Sequence, residues 1–148
     1  MGTRSLIHIK HTCIESPTLA TIYQQYDGYP DGVGLNIYKI LGNSKIINGF
    51  SDHESPEYFN GMGCMAAYLI SKIKTAIGNV YIYPPDSEEC GEEYTYTIYL
   101  KDGELWMKVF DVYQNRAIFN NNLYLYGEWI DANRERELIV VKLRKKGA

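Results

Sequence analysis

The chain has 148 residues, of which 45% are apolar and 14% aromatic, enough for one domain that buries roughly two-thirds of its unfolded surface and too many for a disordered segment. Fifteen Lys and Arg stand against eighteen Asp and Glu, a formal net charge of -3, so no global positive field exists to release counterions from a phosphate backbone and bulk nucleic-acid binding is not expected. Three cysteines, Cys13, Cys64 and Cys90, lack Cys-x-x-Cys spacing, which argues against a secreted disulfide framework and against a zinc knuckle.

Met1-Gly2-Thr3-Arg4 runs directly into a strand-like segment without an apolar signal region, and Leu6 stands where a myristoylation signal wants Ser or Thr. No apolar run approaches the ~18 residues that cross a bilayer. The expected setting is therefore cytoplasmic, without membrane contact.

Residues 4–10 alternate, with Leu6, His8 and Lys10 on one face of a strand and Ser5, Ile7 and Ile9 on the other. After the Ser16-Pro17 break, Thr18 to Gln25 is rich in Thr, Ile and Tyr and is placed to return antiparallel as the second arm of a hairpin. Past the segment Tyr26 to Gly32 the period changes: Val33, Ile37, Ile40 and Leu41 fall on one helical face, with Asp31 placed as cap and Gly42-Asn43 as stop. Residues 43–56, polar and Gly-containing apart from the short Lys45-Ile46-Ile47 stretch, read as a loop.

The longest apolar stripe, Met62, Met65, Ala66, Leu69, Ile73, Ala76 and Ile77, predicts a helix from about Glu57 to Ile77, closed by Gly78. Asn79 to Tyr83 reads as a strand ending at Pro84-Pro85, and the acidic stretch Asp86 to Glu93 as an exposed loop. Tyr94 to Tyr99 and Leu105 to Tyr113 form a hairpin about the turn Lys101-Asp102-Gly103-Glu104. Further on, Asn120-Asn121-Asn122 reads as a turn, Leu123 to Asp131 as strand or short helix, and Leu138 to Leu143 as a final β-branched strand. The basic residues Lys142, Arg144, Lys145 and Lys146 read as a solvated tail. Without an internal repeat or linker, these elements sum to one α+β domain over residues 1–148, an antiparallel sheet with two main helices packed on one face.

Five stretches carry a resemblance: MGTRSLI at 1–7, YQQYDGYPDGVG at 23–34, FNGMGCMAAYLI at 59–70, VYIYPP at 80–85 and EYTYTIY at 93–99. The chain resembles a family of small proteins from bacteria, bacteriophages and some large DNA viruses that begin Met-Gly-Thr-Arg-Ser and carry a Tyr or Trp-Asp-Gly-Tyr-Pro-x-Gly-x-Gly segment after the first hairpin. The resemblance implies a bacterial or viral origin and a cytoplasmic setting, the host cytoplasm if viral. It implies no reaction.

The candidate ligand site is that segment. Tyr26, Asp27, Gly28, Tyr29, Asp31, Gly32 and Gly34 pack two aromatic rings, two carboxylates and three glycines into a strand-to-helix junction, with Pro30 fixing part of the turn. Such a junction presents backbone N–H groups to an anion while Tyr26 and Tyr29 stack on a base or sugar. The two aspartates oppose an anion there, a conflict that pairing Asp27 with Arg4 resolves. The competing reading is a rigid corner, with aspartates capping and tyrosines filling the core edge.

Gly32-Val33-Gly34 lacks the third glycine and the βαβ context of a dinucleotide fingerprint. Gly61-Met62-Gly63 suits close helix–sheet packing or an exposed helix N-terminus, and Cys64 reads as small-residue packing rather than a nucleophile. His8 and His11 lack metal-motif spacing, and His53, between Asp52 and Glu54, reads as a solvated histidine. No catalytic residue, metal site or cofactor is assigned.

The functional expectation is a non-catalytic binding module, an accessory protein of bacterial or viral origin that captures a small anionic or nucleotide-like ligand, or a host protein, through Arg4 and the 26–34 segment. Two other classes stand beside it: a small hydrolase or transferase using Asp27 or Asp31, with or without a metal, and a structural, self-assembling protein. Fourteen tyrosines provide large contact area with polar tips, and the exposed face and edges of the sheet suit a homodimer.

Overall fold

The computed structural model describes residues 2–48 and 57–146. In chain order it holds β1 (Ser5–Lys10), β2 (Thr18–Gln24), a turn of π-helix (Pro30–Gly34) leading into α1 (Leu35–Leu41), β3 (Lys45–Ile47), β4 (Tyr58–Asn60), α2 (Gly61–Ile73), β5 (Val80–Tyr83), β6 (Tyr94–Lys101), β7 (Glu104–Asp111), β8 (Arg116–Asn122) and α3 (Tyr126–Lys146). The main sheet has six strands in the order β5-β2-β1-β6-β7-β8, antiparallel except where β1 and β6 run parallel. The α+β class is as expected, with an antiparallel-dominated sheet.

The first hairpin follows its alternation, with Ile7 opposite Ile22 and His8 opposite Thr21. Because β1 lies inside the sheet, Ile7 and Ile9 face the helices and are fully buried. Leu6, on the opposite face with His8, is buried too. On that side the 86–93 segment is tied across the sheet: the Asp86 N–H donates to Thr21 Oγ1 at 3.1 Å, and the Thr18 hydroxyl donates to the Asp86 carboxylate at 2.5 Å. The hairpin of β6 and β7 turns through Asp102 and Gly103 with φ of 53° and 76°, the two positive values that let a two-residue turn match strand twist.

Between helices and sheet lies one core that includes Ile37, Leu41, Met65, Leu69, Ile98, Met107, Val109 and Tyr126. Burying each aliphatic side chain contributes about 1.5–3 kcal/mol. The Met62-Met65-Ala66-Leu69-Ile73 stripe of α2 is buried as its spacing predicts, but the helix is shorter than the stripe. Lys74 leaves the helix with ψ of 90°, and its ammonium donates to the carbonyl oxygens of Gly78 and Val80 at 2.8 and 2.9 Å, turning the chain toward β5. Ile77, predicted to end the stripe, is fully exposed.

Three other expectations are corrected. Lys45-Ile46-Ile47 is a strand, paired in parallel with β4 in a small second sheet. Leu138–Leu143 is not a final strand but part of α3: its three β-branched residues are outweighed by the Leu, Arg, Glu and Lys around them, all good helix formers. The described residues thus contain a third helix, and it includes the basic stretch as far as Lys146. Asp31 makes no capping bond; it lies in the first turn of the π-helical segment, whose cap position is Tyr29.

Candidate functional site

The segment at 26–34 folds into a corner whose polar backbone is taken up by the protein itself. Asp27 has φ of 59°, and its carbonyl accepts from the Val33 N–H at 2.8 Å, while the Gly28 N–H donates to the Thr3 carbonyl at 2.8 Å. Two buried tyrosines reach up from beneath. The Tyr96 hydroxyl donates to the Gly28 carbonyl at 2.7 Å and the Tyr126 hydroxyl to the Pro30 carbonyl at 2.6 Å. Burial pushes both phenols well above their ordinary ionisation range, so both remain donors.

Two glycines are required by close approach. A Cβ at Gly28 would lie 2.8 Å from both Ser5 Cβ and the Thr3 carbonyl, and one at Gly34 would overlap the Tyr126 hydroxyl and sit 3.0 Å from Tyr96 Cε1. Gly32 packs on the Asp27 carbonyl and the Tyr29 ring. The Gly28, Gly32 and Val33 N–H groups are thus taken by backbone carbonyls, and the three glycines answer to packing.

The expected Arg4–Asp27 pair does not form among the described residues. Arg4 turns toward the 86–93 segment, where its guanidinium packs on Gly91 and its carbonyl accepts from the Glu93 N–H at 2.9 Å. Asp27 instead accepts from the Tyr29 hydroxyl at 3.1 Å, the first cause that holds this exposed phenol above its usual range. Tyr26 is half exposed, its N–H bound to Asn79 Oδ1 at 2.9 Å. The candidates thus separate: Arg4 faces one side, Gly28, Gly32 and Gly34 are structural, and Tyr29 and Asp31 face a cleft.

That cleft, of about 550 Å³, opens between the corner, the β7–β8 turn and the first turns of α3. Its walls include Tyr29, Pro30 and Asp31 from the corner, Tyr94 and Asp111 from the sheet, Gln114 from the turn, Arg116 from the start of β8, and Trp129, Asn133 and Arg134 from α3. A shallower recess continues it past Thr3, Glu93 and Tyr113. Trp129 is held by Phe119 and Tyr126, ring centroids 5.2 and 5.4 Å away. The corner shapes one wall of this cleft without forming its floor.

Asp111 ends the inward row Leu105, Met107, Val109 and is itself only 6% exposed. It stands directly opposite Tyr94 on one neighbour and Arg116 on the other, and residues paired in this way share a face. Yet no Asp111–Arg116 ion pair forms among the described residues. Gln114 holds each separately: its N–H donates to Asp111 Oδ1 at 3.0 Å, and its side-chain oxygen accepts from Arg116 Nε at 2.7 Å. One carboxylate oxygen and the terminal fork of the guanidinium are left to the cleft. Burial, and then the Asp111 charge, raises the Tyr94 phenol, so it too is neutral.

Arg134, half exposed, reaches Asp31 at 3.8 Å and Asp131 at 4.0 Å, long contacts that hold it loosely. The lining thus carries two carboxylates, Asp31 and Asp111, and two guanidiniums, of Arg116 and Arg134.

The other candidates are less well placed. Cβ atoms at Gly61 and Gly63 would meet nothing within 4 Å, so close helix–sheet packing is not their role; φ of 81° explains glycine at 61. Cys64 is exposed rather than packed, and His11 is exposed. Asp52, His53 and Glu54 lie outside the described residues. Among the described residues no three His, Cys, Asp or Glu side chains converge to hold a metal ion, and no helix is long and apolar enough to cross a membrane.

Fold and site define an α+β domain with a polar, aromatic-walled cleft at one end of its sheet. No protein-family model matches the chain, and no curated protein and no solved structure matches it.

Proposed function

We propose that the protein is a non-catalytic binding module that captures a small anionic, nucleotide-like ligand in the cleft between the 26–34 corner, the β7–β8 turn and α3. One observation carries this reading: Asp111 and Arg116 face each other across a strand pair and do not neutralise one another, because Gln114 holds both. Opposite charges at paired positions ordinarily attract across the ladder. Held apart, they offer a guanidinium fork suited to phosphate or carboxylate and a separate acceptor for a ligand donor. Trp129, Tyr29 and Tyr94 supply flat apolar faces alongside. The setting proposed is the cytoplasm of a bacterium or of a virus-infected host, as the resemblance of the 1–7 and 23–34 segments implies.

Native mass spectrometry of protein purified gently from expressing cells tests the reading. A reproducible extra mass on the wild type, lost in the folded double variant Arg116→Gln/Arg134→Gln, is the expected result. Bare protein, together with no chemical-shift change at cleft residues across a panel of phosphates, nucleotides and small carboxylates, would sink it.

A further inference from the structure

We propose that the cleft takes a ribonucleoside phosphate, with the phosphate on the Arg116 and Arg134 guanidiniums, the ribose hydroxyls on Asp111, and the base against Trp129 and Tyr29. This deepens the binding-module reading and rests on it. Asp111 sets the requirement on the ligand. Its carboxylate is nine-tenths buried, accepts from one N–H, and has among the described residues no donor on its second oxygen. A ligand displacing water from that oxygen must bring a hydrogen-bond donor, or leave a desolvated charge unmatched.

Inorganic phosphate or a simple dicarboxylate satisfies the arginines but brings the like charge toward Asp111. A free amino acid satisfies both signs of charge, through its ammonium and carboxylate. It nevertheless leaves most of a cleft of about 550 Å³ unfilled and the aromatic walls uncovered. That volume lies within the roughly 300–1,000 Å³ of sites that enclose a ligand of several rings. A ribonucleoside phosphate combines the needed parts: an anion for the guanidinium forks, vicinal hydroxyls that donate to a carboxylate, and a flat base for the rings. The acceptor at Asp111 further requires that the site distinguish ribose from 2′-deoxyribose, because removing one hydroxyl removes a charge-assisted bond.

Isothermal titration calorimetry on the full chain, with AMP, CMP, GMP and UMP and the 2′-deoxy counterpart of each (dUMP for the last), tests this. The expected result is that at least one ribonucleotide binds about 10- to 100-fold more tightly than its deoxy form. In Asp111→Asn the amide oxygen keeps the Gln114 N–H, an NH₂ donor replaces the free acceptor, and the preference falls to within about threefold. Arg116→Gln weakens both sugars by the same factor, and thermal melts confirm that both variants fold. Equal affinity for ribose and deoxyribose, lost in Arg116→Gln, would overturn the ribose assignment and leave the cleft standing. Binding of orthophosphate or a small carboxylate with no nucleotide would overturn the nucleotide class alone. No binding by any of these, with no perturbed cleft resonance, would overturn both readings.

Discussion

The 26–34 corner and the Asp111–Arg116 cleft lie side by side and treat their polar groups in opposite ways. In the corner, the Gly28 and Pro30 carbonyls take hydroxyls from Tyr96 and Tyr126, and the Asp27 carbonyl takes the Val33 N–H. In the cleft, Gln114 occupies one oxygen of Asp111 and one nitrogen of Arg116 and leaves the others open. Gly, Pro, Asp and Tyr gathered in nine residues attract attention in a sequence, but here the glycines and carbonyls close a turn, and Tyr29 and Asp31 face the cleft. Charge left unpaired at paired positions is visible only in three dimensions.

The comparison is most severely tested by Gly34→Ala. The added methyl overlaps the Tyr126 hydroxyl and crowds Tyr96, and should lower unfolding free energy by about 3 kcal/mol in urea titration. A loss below about 1 kcal/mol would mean that the corner is loose and open to a ligand after all. Tyr126→Phe and Tyr96→Phe each strand a corner carbonyl and should cost about 2 kcal/mol by the same measurement.

Arg116→Gln with Arg134→Gln should change stability by less than about 0.5 kcal/mol, since both guanidiniums are exposed and their contacts long or neutral, while abolishing retained ligand mass. A large loss of stability would recast the cleft arginines as structural. Asp27→Asn, which keeps an acceptor for Tyr29 and tolerates positive φ, should leave both stability and binding within about 0.5 kcal/mol of wild type.

The smallest effect belongs to neither region. On the opposite sheet face Nδ1 of His8 and the Thr21 hydroxyl share a hydrogen bond of 2.8 Å, and burial lowers the histidine's ionisation below its ordinary 6.5. A folded value below the unfolded one means that the unfolded chain binds the extra proton first. The stability His8 contributes is therefore complete above pH 6.5 and declines as pH falls through 6.5 toward the folded value. Urea midpoints measured between pH 8 and pH 5 should fall less in His8→Gln than in wild type.

Much of this architecture is legible in the sequence. The alternation of residues 4–10 and 94–111, the Asp102-Gly103 turn and the α2 stripe all find their places, because period-2 and period-3.6 burial are local consequences of one covered face. Even the buried carboxylate was within reach: Asp111 shares the inward parity of Leu105, Met107 and Val109, and a charge in that row calls for a partner. Leu138–Leu143 misleads because β-branched composition is a weak preference that flanking helix formers outweigh, and Ile77 misleads because a stripe cannot report where a lysine will turn the chain.

What the sequence by itself determined is the class of the domain, its β1–β2 and β6–β7 hairpins and the residues of its central core, since each follows from which side chains avoid water along a short stretch. Only the tertiary structure decided the use of the rest. It sent Arg4 away from Asp27, set Tyr96 and Tyr126 beneath the corner, and brought Asp111, Arg116, Trp129 and Arg134 to one cleft. Those pairings join residues far apart in the chain, and whether two charges meet or are held apart depends on atoms that no local pattern encodes.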